Sequence, residues 1–380
     1  MTPSHDRKGG KETMLRTEAK VQQMLKKKVD PVYRELAAKF KEPDSEIMPR
    51  LLERMMNLEQ AKIVNAPPAS PADIAKQLNL DKATVDKHMQ EMLEKGLLYP
   101  GKSGWHMTRS WPELHDSAGS ANPKYDNDEF FDLAFAKADE RVKKQIDEVL
   151  KGETKVIRQS MRVVPRWKSI KDIPGVLPCE DIRQILTAST PIALINCACK
   201  KIDRNRECKD TIPTETCITT GRSAQHNLSR GAGRQLSYGE AMELCDSFDK
   251  YQLVHLTGNT NTMPYLICNC HNCCCGAFYR NSRTKKQLKQ FSIAKSRFVA
   301  TVDPAKCRGC RTCVDKRCPV GAIQMKYYPE FGEERAYIDA DECIGCGLCV
   351  ITCPAEARTM KLVRPPEYIP SPGDLSAAIE

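Results

Sequence analysis

The sequence predicts an α+β chain of several domains. A helical N-terminal domain closes on a hairpin, a small cysteine-rich α/β domain occupies the middle, and the C-terminal domain is a βαβ repeat. Three observations lead there. Apolar residues recur at helical spacing through the first 150 positions. Seventeen of the nineteen cysteines in the 380 residues crowd into bursts at 197–217, 268–275 and 307–353. The last burst states one phrase twice: Cys307, Cys310, Cys313 and Cys318-Pro319, then Cys343, Cys346, Cys349 and Cys353-Pro354, each copy led in by a short strand.

A chain of this length carries two or three domains large enough for a core. The expected division is N-terminal helices 1–45, a helix-and-hairpin domain 46–112, a helical connector 113–178 and a cysteine-rich domain 179–280. A basic linker 281–298, the cysteine-repeat domain 299–362 and a proline-rich tail 363–380 complete it. Met1–Lys28 is charged and lacks the apolar run of a secretory signal. Lys11–Lys28 reads as a helix. Asp30-Pro31 starts another, with Asp capping free amides and Pro tolerated in the first turn. Ile47–Asn65 is apolar on one face through Leu51, Leu52, Met55, Leu58 and Ile63. Ser70-Pro71 starts a short helix through Leu78, and Lys82–Lys95 a longer one closed by Gly96. Leu97–Met107 reads as a hairpin.

That order, with Asp73–Leu80 as turn and Ala83–Met89 opening the next helix, resembles a winged helix-turn-helix. The resemblance implies DNA binding, and the charges argue against it. Lys82, Lys87 and Lys95 are offset by Asp86, Glu91 and Glu94, and over Glu46–Arg109 nine Lys/Arg face eight Asp/Glu. A helix among phosphates is normally basic. The preferred reading is a protein-docking or structural use of this domain.

Trp111–Tyr125 reads as a polar connector and Asp128–Lys151 as a helix. Met161–Pro178 reads as an extended segment with no evident chemistry. In the middle domain, strand Pro191–Asn196 delivers Cys197 and Cys199, followed by Cys208 and Cys217; Tyr265–Ile267 delivers Cys268, Cys270, Cys273, Cys274 and Cys275. Cys245 falls on the apolar stripe of a helix opened by a Ser237/Glu240 capping box, and reads as a core thiol. Cys179 has no assigned role. Nine cysteines in two bursts, with Lys200, Lys201, Arg204, Arg206 and Lys209 nearby, point to a further iron–sulfur site, with zinc and redox-active thiols as alternatives. The expected ligands are Cys199, Cys208, Cys217 and one from Cys268–Cys273. This field is similar to cysteine-rich modules attached to ferredoxin domains in anaerobes.

C-x2-C-x2-C spacing lets one short loop wrap three irons of a cubane, and the fourth iron takes a thiolate from elsewhere. The repeat resembles the bacterial ferredoxin domain with two 4Fe–4S clusters. By that resemblance Cys307, Cys310, Cys313 and Cys353 hold one cluster, and Cys343, Cys346, Cys349 and Cys318 the other. Four residues separate Cys313 from Cys318 where the usual pattern has three, so a local bulge is expected there. Zinc, which also takes C-x2-C pairs, is the alternative metal.

No run approaches a membrane span, and nothing resembles a phosphate loop or a catalytic Ser/His/Asp set. The net charge is +10, with seven Lys/Arg and no acid over Arg280–Arg297. Such a stretch suits an acidic protein partner or a solvated linker. Thiolate ligands need a reducing compartment, hence a cytoplasmic protein of a cell with little oxygen. The functional expectation is electron transfer through two clusters, by way of the middle site, to or from a partner oxidoreductase. Two alternatives stand beside it: a redox-sensing regulator that uses the N-terminal domain on DNA, and an enzyme whose middle iron–sulfur site binds substrate.

Overall fold

The structure is a computed structural model describing residues 18–67, 69–101 and 104–372. The first part of the expected 11–28 helix, the hairpin tip and the end of the tail lie outside the described residues.

Helix α1 spans 18–25. It is followed by α2 (Pro31–Lys39), α3 (Ile47–Met55), α4 (Leu58–Asn65), α5 (Pro71–Leu78) and α6 (Lys82–Glu94). Their starts are written locally: the Asp30, Asn57, Ser70 and Asp81 side chains each accept from a backbone N–H of the first turn. Strands β1 (Leu98–Gly101) and β2 (Gly104–Met107) form the hairpin, with Leu98 opposite Met107. Trp111–Gly119 is a helix, α7, where a polar connector is expected. Ser110 caps it, and its Trp111 and Leu114 are buried. Helix α8 (Asp128–Leu150) follows.

Next come β3 (Met161–Val164), α9 (Trp167–Ile170), α10 (Ile182–Thr187), β4 (Ile192–Asn196), α11 (Ala198–Ile202), β5 (Glu215–Thr220), α12 (Gly221–Ser229), β6 (Gly233–Leu236) and α13 (Tyr238–Ser247). Then β7 (Val254–Gly258), β8 (Leu266–Cys270), α14 (Gly276–Leu288) and β9 (Ile293–Ala294) precede the C-terminal elements. These are β10 (Phe298–Val302), α15 (Thr312–Asp315), β11 (Ile323–Tyr328), β12 (Glu333–Ile338), α16 (Leu348–Ile351) and β13 (Arg358–Leu362).

The chain divides into two compact units. The first comprises the residues up to Lys144 with Asn196–Thr214 and Asn227–Gly233. Its core gathers Leu36, Met48, Leu51, Leu52, Val85, Met92, Leu97, Leu114 and Leu133, all fully buried. Helices α7 and α11 touch closely: a Cβ on Gly119 would stand 2.6 Å from the Ala198 Cβ. The cations at the two ends of α6 are paired locally. Lys82 pairs with Asp86 and Lys95 with Glu91, each at 2.6 Å.

The second unit comprises Gln145–Ile195, Glu215–His226 and Arg234 onward. It is built on a seven-stranded sheet of order β6-β4-β5-β8-β7-β3-β9. The segment expected to be merely extended supplies β3, whose four residues, Met-Arg-Val-Val, are too few to announce a strand. Period-two alternation splits its valines. Val164 joins Ile192, Leu194, Ile218 and Ile267 under α10 and α13. Val163 joins Val254, Leu256 and Cys270 on the other face, beneath Phe278 of α14 and Ile344, Cys346 and Leu348 of the C-terminal repeat. The expected basic linker is largely α14 followed by the edge strand β9. The Asn281 side-chain carbonyl oxygen accepts from the N–H groups of Ser292 and Ile293 and fixes that return. In the repeat, β10 pairs antiparallel with β13, and β11 with β12. Among the described residues no helix is long and apolar enough to cross a membrane.

Arg297, just before β10, is buried against Glu180 at 2.8 Å, the two side chains being 2% and 1% exposed. Removing one charge of such a pair strands the other in a dry site. Glu180→Ala should cost about 3–5 kcal/mol, measured by chemical unfolding of the anaerobic protein, whereas Lys82→Ala at the surface pair should cost under about 1 kcal/mol.

Candidate iron–sulfur centre

The two cysteine loops are built alike down to single hydrogen bonds. The Asp303 N–H donates to Ala357 O and the Asp339 N–H to Ala322 O, both at 2.8 Å. The Asp303 and Asp339 carboxylates accept from Ala305 N–H and Asp341 N–H, both at 2.9 Å. Each loop then needs a left-handed residue between its first two cysteines, Gly309 (φ +62°) or Gly345 (φ +70°). At Gly345 space is also short: a Cβ would fall 2.1 Å from Phe298 O. Arg311 and Gly347, again left-handed, turn the chain into α15 and α16.

These loops surround two spaces of similar size. One, of about 360 Å³, is lined by Cys307, Cys310, Cys313 and Cys353, with Met325, Ala336 and Arg358. The other, of about 330 Å³, is lined by Cys318, Cys343, Cys346 and Cys349, with Val320, Ile338 and Ile344. Cys349 lines both. Each triplet thus shares its space with the cysteine-proline of the other copy, the exchange that the sequence resemblance implies.

The donor set fits an iron–sulfur cluster. Four sulfurs and apolar side chains suit a soft, sulfide-rich core. Burial pushes the Cys349 thiol up to about 12 and Cys346 well above the ordinary range. A thiolate there requires a positive partner, and metal binding supplies one by displacing the proton. Amide and guanidinium groups are already aimed at sulfur. Arg358 Nη2 donates to Cys313 Sγ at 2.6 Å and the Ala322 N–H to Cys318 Sγ at 3.1 Å. Backbone and hydroxyl hydrogen bonds from Thr312 pull Cys310 below its usual value. Cys310 is also exposed, whereas the other seven are buried or half-buried. Arg358 Nη1, Arg166 Nε and Arg317 Nε are buried without a hydrogen-bond acceptor among the described residues. Cations left open in this way beside sulfur match an anionic centre.

The extra residue between Cys313 and Cys318 does more than bulge. Helix α15 ends at Asp315 as α16 ends at Ile351. Arg317 is the surplus residue, and its guanidinium donates to the carbonyls of Tyr251 and Asp249. The second loop is held by Arg166, whose N–H donates to Cys346 O at 3.0 Å. The Arg166 side chain donates to Leu253 O at 2.7 Å and to His255 Nε2 at 2.8 Å; His255 Nδ1 in turn meets Asn269 Oδ1 at 2.5 Å. Burial, then the neighbouring guanidinium, hold His255 well below the ordinary imidazole value, so it is neutral, with its proton on Nδ1. Sequence reasoning passed over Arg166, Arg317, Arg358 and His255; a buried arginine has no local signature.

The middle cysteines divide between the units. In the first, Cys197 caps α11 and its N–H donates to Thr214 O; Cys199 lies within α11, and Cys208 is buried. Cys199 meets His115, which sequence reasoning did not single out. His115 Nδ1 is 2.9 Å from Asp116. Burial pushes this imidazole down, but Asp116 and Cys199 together outweigh it and hold the group well above its ordinary value. In the second unit Cys217 is buried in β5, while Cys268 and Cys270 lie on β8. Cys273 lies beside His271, Sγ to Nδ1 3.0 Å. Cys270 is joined by Cys268 and by Cys275, which was not among the expected ligands. The expected set of Cys199, Cys208, Cys217 and one later cysteine draws on both units.

Residues 306–357 match the family described as the 4Fe-4S dicluster domain. The chain is 37% identical over 67 residues to one subunit of the ion-translocating oxidoreductase complex of Methanosarcina acetivorans, 18% of this chain and 23% of that protein. It is 31% identical over 96 residues to an uncharacterized ferredoxin of Methanocaldococcus jannaschii, 24% and 51% of the two chains. It is 42% identical over 80 residues to one subunit of the ferredoxin:CoB-CoM heterodisulfide reductase of Methanosarcina mazei, 18% and 10%. The chain spans at most about half the length of these relatives. No solved structure matches it. The C-terminal repeat is an iron–sulfur domain of the ferredoxin type.

Two outcomes follow. Gly345→Ala combines a positive φ with a backbone clash, and should cost more than about 1 kcal/mol and lower the iron bound at Cys343–Cys349, read by iron analysis. Arg358→Met removes a charged donor to Cys313 sulfur. It should lower the potential of the Cys307 centre by roughly tens of millivolts, given that 59 mV is a tenfold change for one electron, and leave the Cys343 centre in place, read by EPR-monitored redox titration.

Proposed function

We propose that the chain is an iron–sulfur electron-transfer protein or subunit. Cys307, Cys310, Cys313 and Cys353 hold one 4Fe–4S cluster, and Cys343, Cys346, Cys349 and Cys318 hold a second. The observation that carries the reading is the grouping of eight cysteines about two spaces, each holding one triplet and the other copy's cysteine-proline, inside the stretch that matches a dicluster domain. When bound, these clusters supply one-electron chemistry. The chain's own part is to exclude water from the Cys343 loop, to aim Arg358 and the Ala322 amide at sulfur, and to leave Cys310 at the surface. That exposed edge is where a partner approaches most closely.

The partner is an oxidoreductase. Two relatives are, by name, components of multisubunit oxidoreductases. The N-terminal helices and hairpin serve protein docking in this reading. The paired charges on α6 favour it over DNA. The winged-helix assignment and a cytoplasmic, oxygen-poor setting belong to the same proposal, as does a further redox centre among the middle cysteines.

Anaerobic purification and reconstitution should give at least about eight iron and eight sulfide per chain, and a reduced-state EPR spectrum of two interacting clusters. Cys310→Ser should simplify the spectrum to the Cys343 centre, and Cys346→Ser to the other. Zinc in place of iron, with no reducible species, rejects the reading.

A further inference from the structure

Three thiols meet on the face of the sheet that carries the second cysteine loop. Leu256 pairs with Cys268 and Val254 with Cys270, so the two cysteines of β8 point to the same side. Cys275 arrives after a four-residue turn as the N-cap of the thirteen-residue helix α14. The Cys270 thiol is hydrogen-bonded to both Cys268 and Cys275, and Cys270 and Cys275 belong to one buried cluster. Cys270 and Cys275 are buried, 6% and 5% exposed, and Cys268 is half-buried.

This trio is not isolated from the iron–sulfur domain. Cys270 and Cys275 share one apolar cluster with Ile344, Cys346 and Leu348. The turn between the cysteines is tied to the same centre: Asn272 Nδ2 donates to Pro319 O at 3.1 Å, next to Cys318. Asn269, between Cys268 and Cys270, continues through His255 and Arg166 to the Cys346 carbonyl. A sulfur cluster joined by hydrogen bonds to the second cysteine loop calls for more than packing.

From this geometry we infer that Cys270 and Cys275 are a redox-active dithiol that closes to a disulfide beside the second iron–sulfur centre, with Cys268 as the third, exchangeable thiol. The inference rests on the iron–sulfur reading above for its electron partner. The choice of pair follows from reach. Residues two apart on an extended strand have Cα atoms separated by twice the strand rise, about 6.6–6.8 Å, the upper limit for a disulfide. The turn from Cys270 to Cys275 carries no such constraint. Oxidation breaks two S–H bonds, forms one S–S bond and releases two protons and two electrons. The electrons go to two one-electron acceptors, the iron–sulfur centres of the same chain. Toward an external dithiol the same bridge is reduced by exchange, and the external dithiol leaves as its own disulfide. Cys268, the least buried of the three, is the thiol positioned to take part in that exchange.

The test uses the full-length, anaerobically purified holoprotein. It is equilibrated in buffers of reduced and oxidised dithiothreitol, quenched with acid and mapped by differential alkylation and mass spectrometry. The expected result is a Cys270–Cys275 linked peptide, which appears with a two-electron Nernst dependence on the buffer ratio while the EPR of the two clusters persists. Dithionite uptake should exceed that of Cys270→Ser by two electrons per chain, with the cluster spectrum unchanged in the variant. Mapping the wild-type protein decides the matter even if the variant does not fold. Three thiols that stay alkylatable across all buffers, or that become alkylatable only after a chelator removes a metal, overturn the inference. Loss of iron and of both EPR signals instead indicts the electron-transfer reading itself.

Discussion

Sulfur buried in a dry interior needs positive charge within reach, and that constraint organises the second unit. The cysteines of the C-terminal repeat are drawn inward by loops that exclude water, and burial alone would keep Cys346 and Cys349 protonated. The chain answers with buried cations. Arg358 bonds Cys313 directly, and Arg166 and Arg317 lie behind the second loop with guanidinium nitrogens left open. Burial lowers the pKa of Arg166 and Arg317, but a guanidinium stays charged at neutral pH. Such cations stabilise an added electron as well as a thiolate, so the groups that allow a cluster to bind also raise its potential.

The same cations fasten the repeat to the sheet. Arg317 fills the one position by which the first loop exceeds the second, and uses it to reach the carbonyls of Asp249 and Tyr251. Arg166 leaves β3 and holds Leu253 O and the Cys346 loop at once. Geometry at the second centre is therefore set by the sheet as well as by the loop, whereas the first centre faces outward through Cys310. The two halves of a sequence duplication have separate surroundings: one meets solvent, the other the sheet and its cysteines.

What the sequence revealed follows the range of the forces involved. The grouping of the eight C-terminal cysteines was legible because their spacing is local and the duplicated fold places each cysteine-proline in the space of the other copy's triplet. Helix starts at Asp30 and Ser70 were legible because a cap acts within three residues. Strand β3 was not, since Met161–Val164 becomes a strand only when β7 and β9 flank it. Helix α7 was hidden by its Ser, Gly and Asp content, although Ser110 and buried Trp111 mark it in retrospect. In the middle domain spacing alone did not sort the ligands. The role of Cys275 stayed open between packing thiol and ligand, and only the turn into α14 brings it to Cys270.

This last point bears on how the proposed dithiol would be matched to one-electron carriers. A pair of clusters delivers electrons singly, while a dithiol takes them two at a time. Between such partners a half-oxidised thiol must not linger where water or oxygen can reach it. The arrangement on β8 meets that requirement. Cys270 and Cys275 are buried under α14, and the apolar residues Val254, Leu256 and Phe278 close around them. The neutral His255 and the amide of Asn269 occupy the opposite face of the same strands, which keeps the imidazole away from the sulfurs.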